Sequence, residues 1–391
     1  MKVAIVGQGY VGLPLAIAAA HAGHDVTGID SNQLLVSTIS NGESPIGDIS
    51  NHQITAALAS RHYRISNAYD AVSDAQIVII CVPTPLNIHR KPDLTFLQSA
   101  LNCVVHNLKS GVLVINESTV APGTTRTLVA DTLSRAKVDF ELAYSPERID
   151  PANSTWNVTN TPKLVAGLTN SAGERASAFY KTFISDVRTG SSLEVIETAK
   201  LLENSFRFIN ISFINELAQF CSALDIDVQE VIEAAASKPY GFMPFYPSAG
   251  VGGHCIPVDP IYLANKSDEL GIPSRFINLA QEFNLQLPTF FAGVATGLLG
   301  NLKGKKILLI GVAYKPDVAD TRETPAQGLI TALRNSGALV SWHDDLVNEW
   351  NGETSLPITN DFDLAILVNP HSTCELALLG STPVLNTRGG Y

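Results

Sequence analysis

Over the first third of the chain, short and almost wholly apolar runs alternate with longer helical patterns. The runs 2–6 (KVAIV), 25–29 (DVTGI), 77–82 and 112–116 suit strands covered on both faces, and LPLAIAAAHAG between the first two suits a helix ending at Gly23. A further strand end is expected at 142–144. From about 192 the pattern changes. SLEVIETAKLLENSFRFINISFINELAQFCSAL holds neither proline nor glycine and predicts one helix of more than 30 residues, apolar over most of its circumference through Phe206, Phe208, Ile209, Ile211, Phe213, Ile214 and Leu217. Such a helix belongs in a core or a subunit interface. More helix is expected over 228–237 and 274–299, the latter interrupted by Pro288, followed by a hinge at 301–305. Strands at 306–311, 338–342, 364–368 and 383–386 then return, with a helix opening at Pro325 behind a Thr324 cap. The fold class is α/β at both ends with a helical middle, divided 1–191, 192–300 and 301–391.

The first strand runs directly into Gly7-Gln8-Gly9-Tyr10-Val11-Gly12, and Asp30 stands at the tip of the second, 23 residues after Gly7. Three glycines alone occur in many turns. In the order strand, glycine turn, helix, strand, acid they form the fingerprint of a Rossmann domain: the glycines let a pyrophosphate approach the helix N-terminus and the acid accepts hydrogen bonds from a ribose diol. A carboxylate at that place repels a 2′-phosphate, so NAD is expected rather than NADP. Three further loops leave strands at the carboxyl edge of the same sheet, where doubly wound folds bind ligands. They are Val82-Pro83-Thr84-Pro85, the stretch from Glu117 and Ser118 through Thr119 to Thr125, and Ser145-Pro146-Glu147-Arg148. Hydroxyls and carboxylates there also serve as helix caps, the reading preferred for Thr124 and Thr125. Thr119 and Glu147 rank above that because the loops converge on one edge.

Candidate chemistry concentrates in YPSAGVGGHCIPVDPIYL (246–263), where Cys255 follows Gly250-Val251-Gly252-Gly253 and precedes Asp259 by four residues. Glycines let the backbone bring a thiol close to a bound substrate, and a thiolate favoured by its surroundings is a nucleophile. A structural thiol in a Gly-rich loop is the alternative, and this segment alone leaves both open. Lys200 and Asn204 are i and i+4 on the long helix and share a face, either as a polar site or as a solvated strip. Lys315 and Arg322, in the loop after strand 306–311, supply positive charge either to a phosphate-bearing ligand or to the surface.

The composition narrows the partners. Lys+Arg 26 against Asp+Glu 37 leaves a net charge of −11 on 391 residues, which argues against non-specific binding to nucleic acid or anionic membrane. No signal peptide is evident, and no uncharged apolar run reaches the roughly 18 residues of a spanning helix. The five cysteines (81, 103, 221, 255, 374) are odd in number and widely spaced, with no Cys-x-x-Cys pair and no Cys/His cluster at zinc spacing. A reduced, cytoplasmic protein without a metal is expected.

Seven motifs in order, GQGYVG, VPTP, ESTVAPGTT, YSPER, ETAKLLENSFRFINISFINELA, SAGVGGHCIPVDPIYL and GVAYKPDVADTRETPA, give the chain a resemblance to the nucleotide-sugar 6-dehydrogenases, the UDP-glucose/GDP-mannose dehydrogenase family, over essentially its whole length. The resemblance implies an NAD-binding Rossmann domain over 1–191, a central all-helical dimerisation domain over 192–300 carrying the Cys loop, and a C-terminal Rossmann-like α/β domain over 301–391 that binds the UDP-sugar. It also implies a cytoplasmic homodimer serving polysaccharide biosynthesis. The implied reaction is a four-electron oxidation of a C6 alcohol to a carboxylate with two NAD per turnover, through a thiohemiacetal and then a thioester on Cys255.

Carried over residue by residue, Lys200 and Asn204 hold the oxygen of the tetrahedral species, Asp259 orients or deprotonates a water with Lys200, Thr119 holds that water, and Glu147 is the base of thioester hydrolysis. Gly7, Gly9, Tyr10, Val11, Gly12, Asp30, Val82, Pro83, Thr84, Glu117, Ser118 and Thr119 line the cofactor, joined by Arg322. Arg148, Tyr246, Ser248, Gly252 and Lys315 contact the nucleotide sugar. UDP-glucose members usually have lysine immediately before the aspartate of the Cys loop, whereas Val258 stands here. HCIPVDP and ENSFRFINISFINELA are similar to the branch acting on UDP-N-acetyl sugars, although Ile261 replaces a tyrosine frequent there. The order of expected substrates is UDP-N-acetyl-D-mannosamine, then UDP-N-acetylglucosamine or a related aminosugar, then UDP-glucose.

Overall fold

Side chains alternate across a strand, so a continuous apolar run must be covered on both faces. In β1 (Lys2–Val6), Val3 and Ile5 enter one buried cluster while Ala4 and Val6 enter another. The same split separates Ile77 and Ile79 from Val78 and Ile80 in β4 (Ile77–Ile80), and Leu113 and Ile115 from Val112 and Val114 in β5 (Val112–Asn116). The computed structural model describes residues 1–389 apart from 48, 151, 152 and 154; positions 390 and 391 of the expected C-terminal segment lie outside the described residues. The chain forms two compact units, Met1–Leu202 and Glu203–Tyr391.

In the first unit, β2 (Asp25–Ile29), β3 (Tyr63–Ser66), β6 (Phe140–Tyr144), β7 (Lys163–Gly167) and β8 (Val187–Thr189) complete an eight-stranded sheet of order β3-β2-β1-β4-β5-β6-β7-β8. The pairings from β3 to β6 are parallel, and β7 joins β6 antiparallel. This is the doubly wound order, whose ligand crevice lies where β1 and β4 part. Helices α1 (Gly12–His21), α2 (Gln33–Ser40), α3 (Asn51–Ala59), α4 (Thr95–Asn107), α5 (Ala130–Ser134) and α6 (Asn170–Tyr180) flank it. Strands β3, β7 and β8 were not legible: β3 and β8 are short and partly polar, and β7 opens on a buried lysine.

Helix α7 (Leu193–Ala223) forms as one 31-residue helix, as its lack of breakers predicts, and the boundary between the units falls inside it. The second unit continues with α8 (Val228–Ala236), α9 (Asp259–Glu269), α10 (Arg275–Leu299) and α11 (Pro325–Asn335). Its parallel sheet has the order β10-β9-β13-β14, built from β9 (Lys306–Ile310), β10 (Leu339–His343), β13 (Leu364–Leu367) and β14 (Val384–Asn386), while β11 (Glu349–Trp350) and β12 (Glu353–Thr354) make a separate ribbon. Thr324 caps α11 by accepting from the Ala326 amide.

The expected interruption at Pro288 does not occur, and α10 runs through it. Proline within a helix costs about 3 kcal/mol. Here Phe283 and Leu287 before the proline and Phe291, Ala292 and Ala295 after it pack on one core, and Pro288 packs where Gly328 of α11 leaves no room for a β-carbon, 2.9 Å from its Cγ. No helix among the described residues is long and apolar enough to cross a membrane.

Candidate active site

The glycine turn after β1 is closed from both sides. Gly7 has φ +91° and a β-carbon there would lie 2.5 Å from the Cys81 carbonyl oxygen; one on Gly12 would lie 1.8 Å from the Gly7 carbonyl oxygen. Gln8 turns its side chain inward, donating to the carbonyls of Ile5 and Gly7 and accepting from the Tyr63 hydroxyl at 2.9 Å. Asp30 accepts from the Gln8 amide at 2.8 Å and from the Asn32 amide at 2.9 Å, which aims its carboxylate across the turn. Val11 precedes α1 without any side-chain cap; the Leu13 amide donates to the Gly9 carbonyl and Pro14 has no N–H, which leaves the Gly12 amide of the first turn to face an anion. Gly9 has open space at its β-carbon position, and Tyr10 packs beside the core of the same face.

The neighbouring strand ends meet this turn. Ser118 donates to the Val82 carbonyl at 2.8 Å, and Thr84 is buried while Pro83 is exposed and Thr119 half-buried. Contrary to expectation, Thr124 makes no cap. The carboxylate of Glu197 on α7 does this work instead, accepting from the amides of Gly123 at 2.6 Å and Thr125 at 2.9 Å; Asn116 donates to the Thr125 hydroxyl. An anion outranks a hydroxyl at a helix start, being the stronger acceptor and matched to the dipole.

Glu117 and Glu147 share a single buried cation. Lys163 on β7 donates to Glu117 at 2.9 Å and to Glu147 at 3.1 Å, and the Tyr180 hydroxyl closes on the other Glu117 oxygen. Burial pushes the Glu117 carboxyl above its ordinary value in spite of Lys163. Burial acts the same way on Glu147, but Lys163 and the amides of Arg148 and Ile149 together hold it below the ordinary carboxylate range. Burial and Glu117 also drive the adjacent Cys81 thiol well up, which keeps it a neutral thiol. Burial thus wins at Glu117 and the cation with two amides wins at Glu147, so the two carboxyls are shifted in opposite directions. Arg148 donates to the Pro162 carbonyl at 2.6 Å.

In the second unit the Cys255 thiol is exposed just ahead of α9. Its carbonyl accepts from the amides of Val258 and Asp259, and Asp259, the first residue of α9, is buried and accepts from Asn204 Nδ2 at 2.6 Å. The preceding glycines press against the C-terminal loops. A β-carbon on Gly252 would lie 2.9 Å from the Glu323 carbonyl, from Pro325 and from Tyr314; one on Gly253 would lie 2.7 Å from the Tyr314 ring. The Gly253 amide donates to the Arg322 carbonyl at 3.1 Å, and Asp320 grips the Arg322 guanidinium through both carboxylate oxygens. Ser248 bridges to the Gly250 carbonyl while its amide reaches Asn215; Tyr246 is exposed and Lys315 half-buried on the Tyr314 loop. Lys200 is buried one turn before Asn204 on α7.

Three family models cover this architecture in order. The UDP-glucose/GDP-mannose dehydrogenase family's NAD binding domain matches residues 1–184, its central domain 194–286 and its UDP binding domain 308–376. The chain belongs to the UDP-glucose/GDP-mannose dehydrogenase family. It is similar to a UDP-N-acetyl-D-mannosamine dehydrogenase of Methanococcus maripaludis, 32% identical over 352 residues that span 88% of this chain and 79% of the relative. It is also similar to a UDP-N-acetyl-D-glucosamine 6-dehydrogenase of Salmonella typhi, 33% identical over 360 residues, 89% and 83% of the two chains. The solved structure of a UDP-D-ManNAc dehydrogenase from Pyrococcus horikoshii superposes with a TM-score of 0.92 at 29% identity, covering 99% of this chain and 95% of that one.

As a member, the chain is an NAD-dependent nucleotide-sugar dehydrogenase. The turn fits that cofactor: two positions admit no side chain, the helix start is uncapped, and a carboxylate held by two amides stands at the second strand's tip. Sequence reasoning missed Gln8, Lys163, Tyr180 and Glu197, whose partners are 55, 46, 63 and 74 residues away. The only signal was a lysine inside an apolar strand, KLVAG. Lys163→Met leaves two buried carboxylates without a cation and is expected to cost about 3–5 kcal/mol in urea unfolding, part of it recovered by adding Glu117→Gln. A loss below about 0.5 kcal/mol, the range of ordinary surface changes, contradicts this assignment.

Proposed function

We propose that this dehydrogenase oxidises the C6 alcohol of a UDP-N-acetylhexosamine, UDP-N-acetyl-D-mannosamine first among them, to the carboxylate through covalent intermediates on Cys255. The observation that carries the reading is an exposed thiol on a loop with no freedom left, tied to Asn204 through Asp259 and to the C-terminal loops through Gly252 and Gly253. NAD supplies a hydride acceptor for each of the two oxidations. The Cys255 thiolate adds to the C6 aldehyde, so the carbon is retained as a thiohemiacetal and then as a thioester instead of escaping as free aldehyde. Asn204 gives one amide hydrogen to Asp259 and keeps a second for the developing oxyanion, which the Lys200 ammonium also stabilises. Asp259 orients the water with Lys200, and Thr119 holds it. Glu147 is the base of thioester hydrolysis; the Lys163 ammonium and two amides that hold its carboxyl below the ordinary range support its acting from the ionised form.

Val82, Pro83, Thr84, Glu117, Ser118 and Arg322 line the cofactor in this reading, and Arg148, Tyr246, Ser248, Gly252 and Lys315 contact the nucleotide sugar. Glu117 does so through its backbone, since its carboxylate is committed to Lys163 and Tyr180. The N-acetylhexosamine class rests on the two relatives' names and on Val258 standing where UDP-glucose members usually have lysine. UDP-N-acetylglucosamine is the second candidate, after the Salmonella relative. The product, a nucleotide-activated sugar acid, serves cytoplasmic synthesis of an acidic polysaccharide. Homodimerisation uses α7, where Phe206, Phe213 and Phe220, seven residues apart, stay 45%, 60% and 60% exposed, with Phe276 and Leu279 of α10 also exposed.

Counting NADH released per sugar consumed, over a panel of UDP- and GDP-sugars, is expected to give two with a UDP-N-acetylhexosamine; one denotes an ordinary alcohol dehydrogenase and none a binding scaffold. Cys255→Ala is expected to abolish acid formation while NAD affinity stays within about twofold, and retained acid production overturns the assignment. Light scattering on Phe213→Asp is expected to report a monomer where the parent chain is a dimer; an unchanged mass rejects the α7 interface.

A further inference from the structure

Three donors of different kinds meet at the carboxyl end of β10, and nothing in their spacing along the sequence announces it. One ligand atom each of His343, Asp345 and Cys374 lies within 4.8 Å of the others. His343 Nδ1 stands 2.6 Å from the Leu356 carbonyl oxygen and therefore carries a hydrogen. Its Nε2 then points a lone pair at Asp345 Oδ1, 3.0 Å away. Two acceptors at that distance attract only with a proton on the ring or a cation against both. The second Asp345 oxygen accepts from the Thr373 hydroxyl at 2.6 Å, which fixes the carboxylate plane. The two side chains are 15% and 23% exposed, and Cys374 packs half-buried against the cluster of Leu308, Ile310, Ile358, Ala365 and Leu379. The imidazole and the carboxylate are thus each oriented through their other polar atom, by a group that is not itself a donor to the shared centre, the outer-shell arrangement of metal sites.

We propose that His343 Nε2, Asp345 Oδ1 and Cys374 Sγ bind a divalent transition metal of the zinc class, with a fourth position open to water. Imidazole and thiolate select such an ion over calcium or magnesium, which take oxygen ligands. Bonds of about 2.0–2.3 Å set tetrahedral donors roughly 3.3–3.8 Å apart, so the His343–Asp345 pair needs to part by only a few tenths of an ångström and the thiol closes by about 1.5 Å at most. On binding, the Cys374 sulfur exchanges its proton, released to solvent, for the metal. The ion joins the end of β10 to the loop after β13, one residue from Asp344. Asp344 accepts from the amides of Val312 and Ala313 and so holds the turn that leads into the Tyr314 loop. The metal is a staple across the ligand edge of the second sheet and takes no part in hydride transfer.

The test titrates the chelator-treated full chain with Co(II). One equivalent is expected to bind, with a thiolate-to-cobalt charge-transfer band and tetrahedral d–d absorption, and Zn(II) is expected to displace it and raise the unfolding midpoint of the apo chain. Both signals are expected to vanish in Cys374→Ser and in His343→Gln, each checked for native circular dichroism, and to persist in Cys255→Ser, which removes the exposed competing thiol. Absence of saturable binding overturns the proposal. Binding that survives Cys374→Ser, or that disappears in Cys255→Ser, overturns it equally.

Discussion

A hydrogen bond of 2.6 Å from Asn204 to the buried carboxylate of Asp259 decides where the exposed thiol of this dehydrogenase stands. Burying a carboxylate is costly unless it is paired. Asp259 meets that demand with a charge-assisted bond from α7 and a place at the start of α9, where the helix dipole favours an anion. The Asp259 amide in turn donates to the Cys255 carbonyl, so the helix, the carboxylate and the cysteine form one chain of contacts. From the other side, Gly252 and Gly253 lie so close to Tyr314, Glu323 and Pro325 that a methyl group has no place at either position. The loop that carries Cys255 is thereby anchored from both sides, the condition that the proposed covalent route sets for keeping a carbon in place between two steps.

Both sheets use one further device at their ligand edges. In each, an aspartate after the second strand of a β-α-β unit accepts from an amide in the turn after the first: Asp30 from Gln8, Asp344 from Val312 and Ala313. The glycine of each turn has positive φ and no room for a side chain, Gly7 against Cys81 and Gly311 against Asn369. The two sites then diverge. Asp30 is partly exposed, with lone pairs left to face a ligand, whereas Asp344 is buried and accepts from His371 and two more amides, a purely internal lock.

What could be read from the sequence was local. KVAIV before a glycine turn, the breaker-free stretch of α7, the Thr324 cap and the order of seven motifs lie in contiguous residues, and the architecture and family followed from them. What could not be read depends on residues far apart. Glu197 displaced Thr124 as the cap because a carboxylate 74 residues from Gly123 arrives through folding. Lys163 stands on a strand that the sequence did not announce, and it has no visible partner until folding brings Glu117 and Glu147 to it. Pro288 reads as a break because propensity counts the lost hydrogen bond and not the core that outweighs it. His343 and Cys374, 31 positions apart, escape any zinc-spacing rule.

The covalent route through Cys255 is tested most directly by intact-protein mass spectrometry of Cys255→Ser incubated with NAD and a UDP-N-acetylhexosamine. Serine is a poorer leaving group than cysteine, so the account predicts a stalled, ester-linked sugar adduct of one per chain that maps to residue 255. Steady formation of the sugar acid by that variant at the parent rate, with no mass added, contradicts it.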